Sequence, residues 1–333
     1  MDLKNAIVHR IKRDDGQPST IDYRDRELQN DSVPLKRLIS EIRGIYEKTG
    51  KSRGVFQSDL HSYPFQNMVR QFLEKVVSFV EFTKGAVGHL KTLIDRENFA
   101  KGGYILFVLY QEEPNLFLMV AMLNDVTGTA IDEENLDVKD VLHLETRHLH
   151  LAARLNISFW RSGQDKQYLS FVNGRGAGEI SKYFLNFLGC EDYSTSREQT
   201  KRFFEAVNGF CEIRQFDQQT VEEIKRKLFD HCEEKRKKKE SVSLESLSFL
   251  VDEKESSEFL IYANSDDVGV NSFFDPDRAM LQKFQFFKLE KKGVRITFDK
   301  NLLGKEVILE EKSLVFTGLS DDWLSRLRGK SIV

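Results

Sequence analysis

The sequence reads as an α+β protein, and three observations lead to that class. Two long apolar runs separated by a short polar turn mark adjacent strands buried on both faces. Several stretches carry apolar residues at helical spacing. Short alternating segments with turn signals recur near both ends. The expected architecture is a mixed or antiparallel sheet with flanking helices, a helical middle region and a small C-terminal α+β unit. The corresponding boundaries are 1–176, 177–252 and 253–333.

The first segment opens with alternation. Ile7, His9 and Ile11 interleave with Val8, Arg10 and Lys12, and Asp14-Asp15-Gly16 turns toward a short strand around Ile21 and Tyr23, giving a hairpin. Pro34 opens a helix to about Tyr46. A stronger helix is expected from Gln66 to Phe82, because Val69, Phe72, Leu73, Val76, Val77 and Val80 fall on one face. Gly85 and Gly88 then mark a break before a short helix at Leu90–Ile94. Tyr104–Tyr110 and Leu116–Leu123 are the central strand pair. His148–Ile157 alternates as a strand, and Tyr168–Val172 is another, ending at the Gly-rich segment 173–178.

Helices dominate next. Ile180, Tyr183, Phe184, Phe187 and Leu188 form a stripe that Gly189 terminates. Ser196 and Gln199 have capping-box spacing ahead of Phe203, Phe204, Val207 and Phe210. Asp217 caps a helix with Val221, Ile224, Leu228 and Cys232 inward, and Ser243 caps a short one. Asp275-Pro276-Asp277 opens a helix through Met280, Leu281 and Phe284, with Asp275 at the cap and Pro276 at the first position. Strands at 294–298, 307–309 and 314–316 follow, then a terminal helix capped at Ser320–Asp322.

Composition narrows the function. The chain has 333 residues, is 40% hydrophobic and 31% charged, and carries a net charge of −3. A soluble folded protein fits; a uniformly basic nucleic-acid coat does not. Cys190, Cys211 and Cys232 lack metal-type spacing and suit free thiols in a reducing cytosol. The N-terminus lacks the pattern of a signal peptide, and the longest apolar run is far short of the ~20 residues a membrane helix needs. A cytoplasmic protein with no membrane association is expected.

Chemical motifs are few. His143, His148 and His150 are the one set that suggests a metal, yet no further ligand stands at characteristic spacing, so structural histidines are the expectation. Asp277 with Glu290 and Lys292 imitates a metal-nuclease pattern, but with Asp275-Pro276 opening a helix, Asp277 falls in the first turn and serves the helix dipole. No nucleophile elbow, P-loop or dinucleotide fingerprint occurs. Neither catalytic residues nor a cofactor are expected. Asn173-Gly174-Arg175-Gly176 lies between a strand and a helix, where an anion could sit with Arg175 beside it, although a tight turn accounts for it as well.

The charge run is the clearest binding candidate. Between Lys225 and Lys239 the basic residues are Lys225, Arg226, Lys227, Lys235, Arg236, Lys237, Lys238 and Lys239; the acidic ones are Asp230, Glu233 and Glu234. Such a helix end can contact several phosphates, each adding salt-sensitive affinity. Basic residues near a helix C-terminus also suit the dipole and water alone.

The blocks Phe99–Phe107, Tyr168–Arg175 with Tyr183–Gly189, Leu244–Ser248, and Asp277-Arg278 with Gly293–Asp299 and Leu302–Gly304 carry a resemblance. In order and spacing the chain resembles the 37-kDa nucleoid-associated protein family of bacteria over nearly its whole length. That resemblance implies a cytoplasmic, nucleoid-located protein that binds nucleic acid, either DNA or RNA, without known catalysis. It transfers no catalytic residues. Where the family is basic around 173–179, only Arg175 matches, which weakens the case for phosphate binding by that loop and leaves a partner other than DNA open. The expected function is non-enzymatic DNA binding through Arg175, Lys225, Arg226, Lys227 and Lys235–Lys239, with little sequence preference. An adaptor docking on a DNA-processing or defence complex and a metal nuclease are the alternatives; a protein partner and a homo-oligomer are both compatible with the sequence.

Overall fold

The computed structural model describes residues 1–13, 17–97, 102–132, 134–145, 149–163, 167–172, 180–191 and 195–329. It divides into two compact units, Met1–Thr195 with Ser243–Phe273, and Ser196–Val242 with Phe274–Val333. The architecture is α+β.

Along the first unit run β1 (Asp2–Lys12), β2 (Thr20–Asp22), α1 (Val33–Lys48), β3 (Lys51–Phe56), α2 (Phe65–Leu73), α3 (Phe79–Ile94), β4 (Gly103–Glu112) and β5 (Asn115–Leu123). Then come β6 (Asp125–Ile131), β7 (Val138–Leu144), β8 (Leu151–Asn156), α4 (Ile157–Ser162), β9 (Leu169–Val172), α5 (Ile180–Leu188) and β10 (Cys190–Glu191). Eight of these strands form one sheet in the order β10-β3-β9-β8-β5-β4-β1-β2. Every neighbouring pair is antiparallel.

The two apolar runs are the centre of that sheet. β4 and β5 pair from Tyr104↔Leu123 to Glu112↔Asn115. Ile105, Phe107 and Leu109 pack with α2, α3 and α5 through Phe65, Phe82, Leu90 and Phe187. Leu106, Val108 and Tyr110 face the other way, onto Leu35, Ile39, Ile42 and Tyr46 of α1. Alternation puts successive side chains on opposite faces, so a strand covered on both sides must be apolar throughout.

Two expectations in this region are corrected. The helix expected over Gln66–Phe82 is two helices. Lys75 adopts the left-handed conformation (φ 60), and a new helix starts at Ser78, whose hydroxyl accepts from the Glu81 amide while Glu81 accepts from the Ser78 amide. This reciprocal cap outweighs the continuous apolar stripe. Gly85 and Gly88 do not break a helix; both lie inside α3, whose buried face of Phe82, Ala86, Val87 and Leu90 holds it together. The strand expected over His148–Ile157 is β8, which ends at Asn156, where the side chain caps α4. Asp14-Asp15-Gly16 and the Gly-rich segment 173–178 lie outside the described residues.

At Gly102, a Cβ would sit 2.1 Å from the Ile11 carbonyl oxygen. Only glycine lets the chain enter β4 this close to β1.

The sheet also buries charge. Lys51, Arg53 and Arg154 are among its least exposed side chains. Arg154 donates to Glu47 at the end of α1 and to Asp266. Arg53 reaches the Asn264 carbonyl at 2.6 Å and Asp266 at 3.4 Å. The Lys51 ammonium donates to the carbonyls of Tyr46 and Glu47, both at 3.1 Å, and burial lowers its pKa to about 8, with Glu47 opposing. Asn264, Asp266 and Asn271 belong to the returning segment, which carries α8 (Leu244–Val251) and α9 (Ser256–Ala263) between the two-residue strands β11 (Val242–Ser243) and β12 (Phe273–Phe274). Buried cations need such partners, so this network fixes Ser243–Phe273 to the sheet.

The second unit contains α6 (Ser196–Ile213), α7 (Gln218–Lys238) and α10 (Arg278–Gln285), followed by β13 (Phe286–Lys291), β14 (Val294–Asp299), β15 (Val307–Glu310), β16 (Ser313–Phe316) and α11 (Asp321–Gly329). Between the helices, Phe204 stacks on Phe284 at 3.6 Å and Phe203 lies 5.6 Å from Phe274. β13 pairs with β14, and β15 with β16. The cap of α10 is Asp277, accepting from the Met280 amide at 2.9 Å, and not Asp275, which accepts from Ser241.

Candidate nucleic-acid interface

Asp217 starts α7 by accepting from the Thr220 amide at 2.9 Å. Ile224, Leu228 and Cys232 are its buried residues, and burial raises the Cys232 thiol to about 12, so it stays a neutral core group. With the inward face fixed by these three, the 100° step per residue places Arg226 and Lys237 on the outward face and Lys227 and Lys238 on its flanks. Glu223, Asp230, Glu233 and Glu234 share that face. The helix closes at Lys239, in the left-handed conformation (φ 58), whose amide reaches the carbonyls of Lys235 and Arg236.

The side chains then sort into two groups. Lys227 pairs with Glu223 at 2.8 Å, Lys235 with Glu240 at 2.7 Å and Lys238 with Glu234 at 2.6 Å. Arg236 takes both oxygens of Glu233, at 2.6 and 2.8 Å. The hydrogen bonds and charges of these pairs raise the pKa of Arg236 and Lys238 and lower those of Glu223, Glu233, Glu234 and Glu240. Lys225 lies over the Phe284 ring, 5.3 Å from its centroid. Among the described residues, Arg226, Lys237 and Lys239 form no ion pair within 4.0 Å. All eight cations from Lys225 to Lys239 are thus on one helix and its cap, but half of them face carboxylates. Arg175 lies outside the described residues.

The other sequence candidates have local partners. Asp277 caps α10, and its own amide donates to Thr200 at 2.8 Å. Glu290, on β13, pairs with Arg295 at 2.8 Å. Among the described residues no three His, Cys, Asp or Glu side chains gather as a metal set; His143 is on β7, His150 precedes β8, and His148 is outside the described residues. No described helix is long and apolar enough to cross a membrane.

A cleft of mixed charge, lined by Asp125 and Glu145 as well as by cations, lies in the first unit and was not singled out by the sequence. It has a volume of about 820 Å³, and its other walls include Arg10, Lys12, Arg13, Gly102, Gly103 and Asn124. Its cations are engaged too: Arg10 with Asp125 at 3.3 Å, Lys12 with Asp22 at 2.5 Å, and Arg13 donating to the Ile94 and Glu97 carbonyls, both at 2.6 Å. The alternating strand that supplies two of them gave a fold signal but no functional one.

A family profile described as nucleoid-associated protein YejK matches residues 7–321. The chain belongs to this family. Among its relatives, a nucleoid-associated protein of Pseudomonas aeruginosa is 34% identical over 314 residues, covering 94% of this chain and 92% of that protein. One from Azotobacter vinelandii is 34% identical over 315 residues, covering 94% and 93%. One from Pseudomonas fluorescens is 31% identical over 336 residues, covering 99% and 100%. The resemblance read from the sequence blocks is therefore borne out as family membership. Within the family blocks, Gly102 has the steric role described above and Asp277 is a helix cap.

Proposed function

We propose that this protein binds DNA at the bacterial nucleoid, in the cytoplasm, without catalysis, through phosphate contacts and with little sequence preference. The observation that carries the reading is the C-terminal half of α7, where Lys235–Lys239 follow one another and Lys237 and Lys239 have no carboxylate partner among the described residues. Arg226 joins Lys237 on the outward face. Lys225, Lys227, Lys235, Arg236 and Lys238 would contribute by exchanging a carboxylate or a ring for a phosphate, and Arg175 is assigned to the same role. Arg226 and Lys237 point outward from a helix anchored by its core, so their contact with phosphate requires no refolding. Phosphate contacts position a protein but do not read sequence.

Fluorescence anisotropy of a labelled 30-base-pair duplex, titrated with protein at 50 and 200 mM salt, tests this. About three phosphate contacts predict roughly a 40-fold loss of affinity over that range. No binding at 50 mM salt would end the proposal.

One observation favours a second reading. Three ion pairs within α7, a fourth from Lys235 to Glu240 just beyond it, and a net charge of −3 suit an adaptor that reaches DNA through a protein partner. A complex recovered at the same yield after complete nuclease digestion would support the adaptor; loss with the nucleic acid would support direct binding.

A further inference from the structure

We propose that the pocket between the ends of α2 and α4 holds one unpaired nucleotide of a single nucleic-acid strand, its base stacked on Trp160 and its phosphate taken by Arg70 and Arg161. The pocket has a volume of about 220 Å³ and is lined by Arg70, Leu73, Glu74, Trp160 and Arg161. It lies wholly within the first unit, so the assignment is independent of α7.

Local chain chemistry brings these residues together. α2 ends at Leu73, just before the left-handed Lys75 (φ 60), which leaves Arg70 in its last turn and Glu74 at its cap. α4 is short, capped by Asn156 and closed by Gly163 (φ 65), whose amide donates to the Phe159 carbonyl at 3.1 Å. Arg161 is in its last turn, next to Trp160. Two rings hold the indole in place. Its centroid is 5.2 Å from that of Phe56, edge to face, and 6.4 Å from that of Tyr168. The Tyr168 hydroxyl in turn accepts from the Phe56 amide at 2.9 Å. Trp160 packs against the core and is still only half-buried, so it is a fixed aromatic wall with open space beside it.

Charge sets this pocket apart. Half the cations of α7 face carboxylates, and those of the Arg10 cleft are engaged. Arg70 and Arg161 are exposed and, among the described residues, neither has an ion-pair partner within 4.0 Å. Glu74 stands four residues after Arg70, a spacing that allows a pair on a helix, yet the two do not pair. A cation in the last turn of a helix suits the dipole by itself. That accounts for each arginine separately, but not for both lining one pocket with a tryptophan.

The lining selects the ligand. Every base has a π-face, so stacking on an indole is tolerant of sequence. Guanidinium groups take phosphate oxygens in pairs. The Glu74 carboxylate disfavours a bare anion and can accept from a base amine. A free phosphate would satisfy only the arginines. A duplex keeps its base faces inside its own stack, whereas an unpaired nucleotide offers a face, an amine edge and a phosphate together.

The test uses tryptophan fluorescence. The chain has two tryptophans, and Trp323 is 62% exposed on α11, so Trp323→Phe leaves Trp160 as the sole reporter. The full chain with this substitution is titrated at 50 mM salt with a 20-nucleotide single strand of mixed sequence, and with the same sequence as a duplex. The single strand should quench the emission saturably, with a midpoint at least tenfold below that of any quenching by the duplex. Arg70→Gln with Arg161→Gln should raise that midpoint at least fivefold, with unchanged circular dichroism because both side chains are exposed. Quenching should persist when Arg226→Ala and Lys237→Ala are added, which separates this proposal from the one resting on α7. No quenching by the single strand, equal quenching by the duplex, or a midpoint indifferent to both arginines would overturn it.

Discussion

Arg236 donates two hydrogen bonds to Glu233, one turn earlier on α7, at 2.6 and 2.8 Å. The pair occupies the helix end on which the binding proposal rests. A guanidinium held by both carboxylate oxygens must give up that geometry before it can take a phosphate. The acidic residues of α7 therefore act as internal competitors for its cations.

Removing the competitors should tighten binding. Glu233→Gln with Glu234→Gln leaves Arg236 and Lys238 without their carboxylates while preserving side-chain size. Affinity for duplex DNA is expected to rise severalfold at 50 mM salt, with a steeper salt dependence. Anisotropy titration measures both; an unchanged affinity would mean that this end of α7 does not touch DNA.

Removing the cations that lack ion pairs should have the opposite effect. Arg226→Ala and Lys237→Ala each delete one phosphate contact, and each should lower the magnitude of the salt slope by about 1. The loss should be the same on unrelated sequences. A variant that discriminates between duplexes would indicate base reading instead.

The buried network of the first unit sets its stability. Asp266→Ala leaves Arg53 and Arg154 with fewer acceptors in a nearly dry site. The expected cost is about 2–3 kcal/mol, below the full value for a completely buried pair because Asp266 is itself partly exposed. Urea unfolding gives the number. The change should lower the midpoint, whereas Asp267→Ala should leave it in place.

His9 should make stability depend on pH. Its Nδ1 accepts from the Arg24 amide at 3.1 Å, so Nε2 carries the proton toward the Thr83 hydroxyl, 3.0 Å away. Burial, helped by the Lys84 charge, lowers its pKa to about 4 from an ordinary 6.5. Between those values the unfolded chain takes up the proton and the folded one does not. His9 therefore adds no pH-dependent cost above pH 6.5, and stability falls as the pH drops from 6.5 toward 4. The full swing is on the order of 3 kcal/mol. Urea midpoints at pH 7 and pH 4.5 for wild type and His9→Gln should show a smaller decrease in the variant; equal decreases would assign the effect to other groups.

Legibility in the sequence followed the range of the interactions. β4, β5, α5 and α7 are written in local apolar periodicity and in caps such as Asp217, and they fold as read. The division between α2 and α3 was also local, in Ser78 and Glu81, but the longer apolar stripe masked it. The β6–β7 hairpin was missed because its strands bury little and lack the usual hairpin dipeptide. Arg154 looked like one polar position in an alternating strand; its burial is set by Glu47 and Asp266, 107 and 112 residues away, which no local pattern encodes. At the candidate interface the basic run was plain, and its partial neutralisation followed from helical geometry, since Glu223–Lys227 and Glu234–Lys238 are four residues apart.

The most direct test of the central claim is the slope of log affinity against log salt for the wild-type protein on a short duplex. Contact through the cations of α7 that lack carboxylate partners predicts a slope of about −3, becoming steeper when Glu233 and Glu234 are replaced by glutamine. A flat line, or a slope that ignores both glutamates, would contradict it.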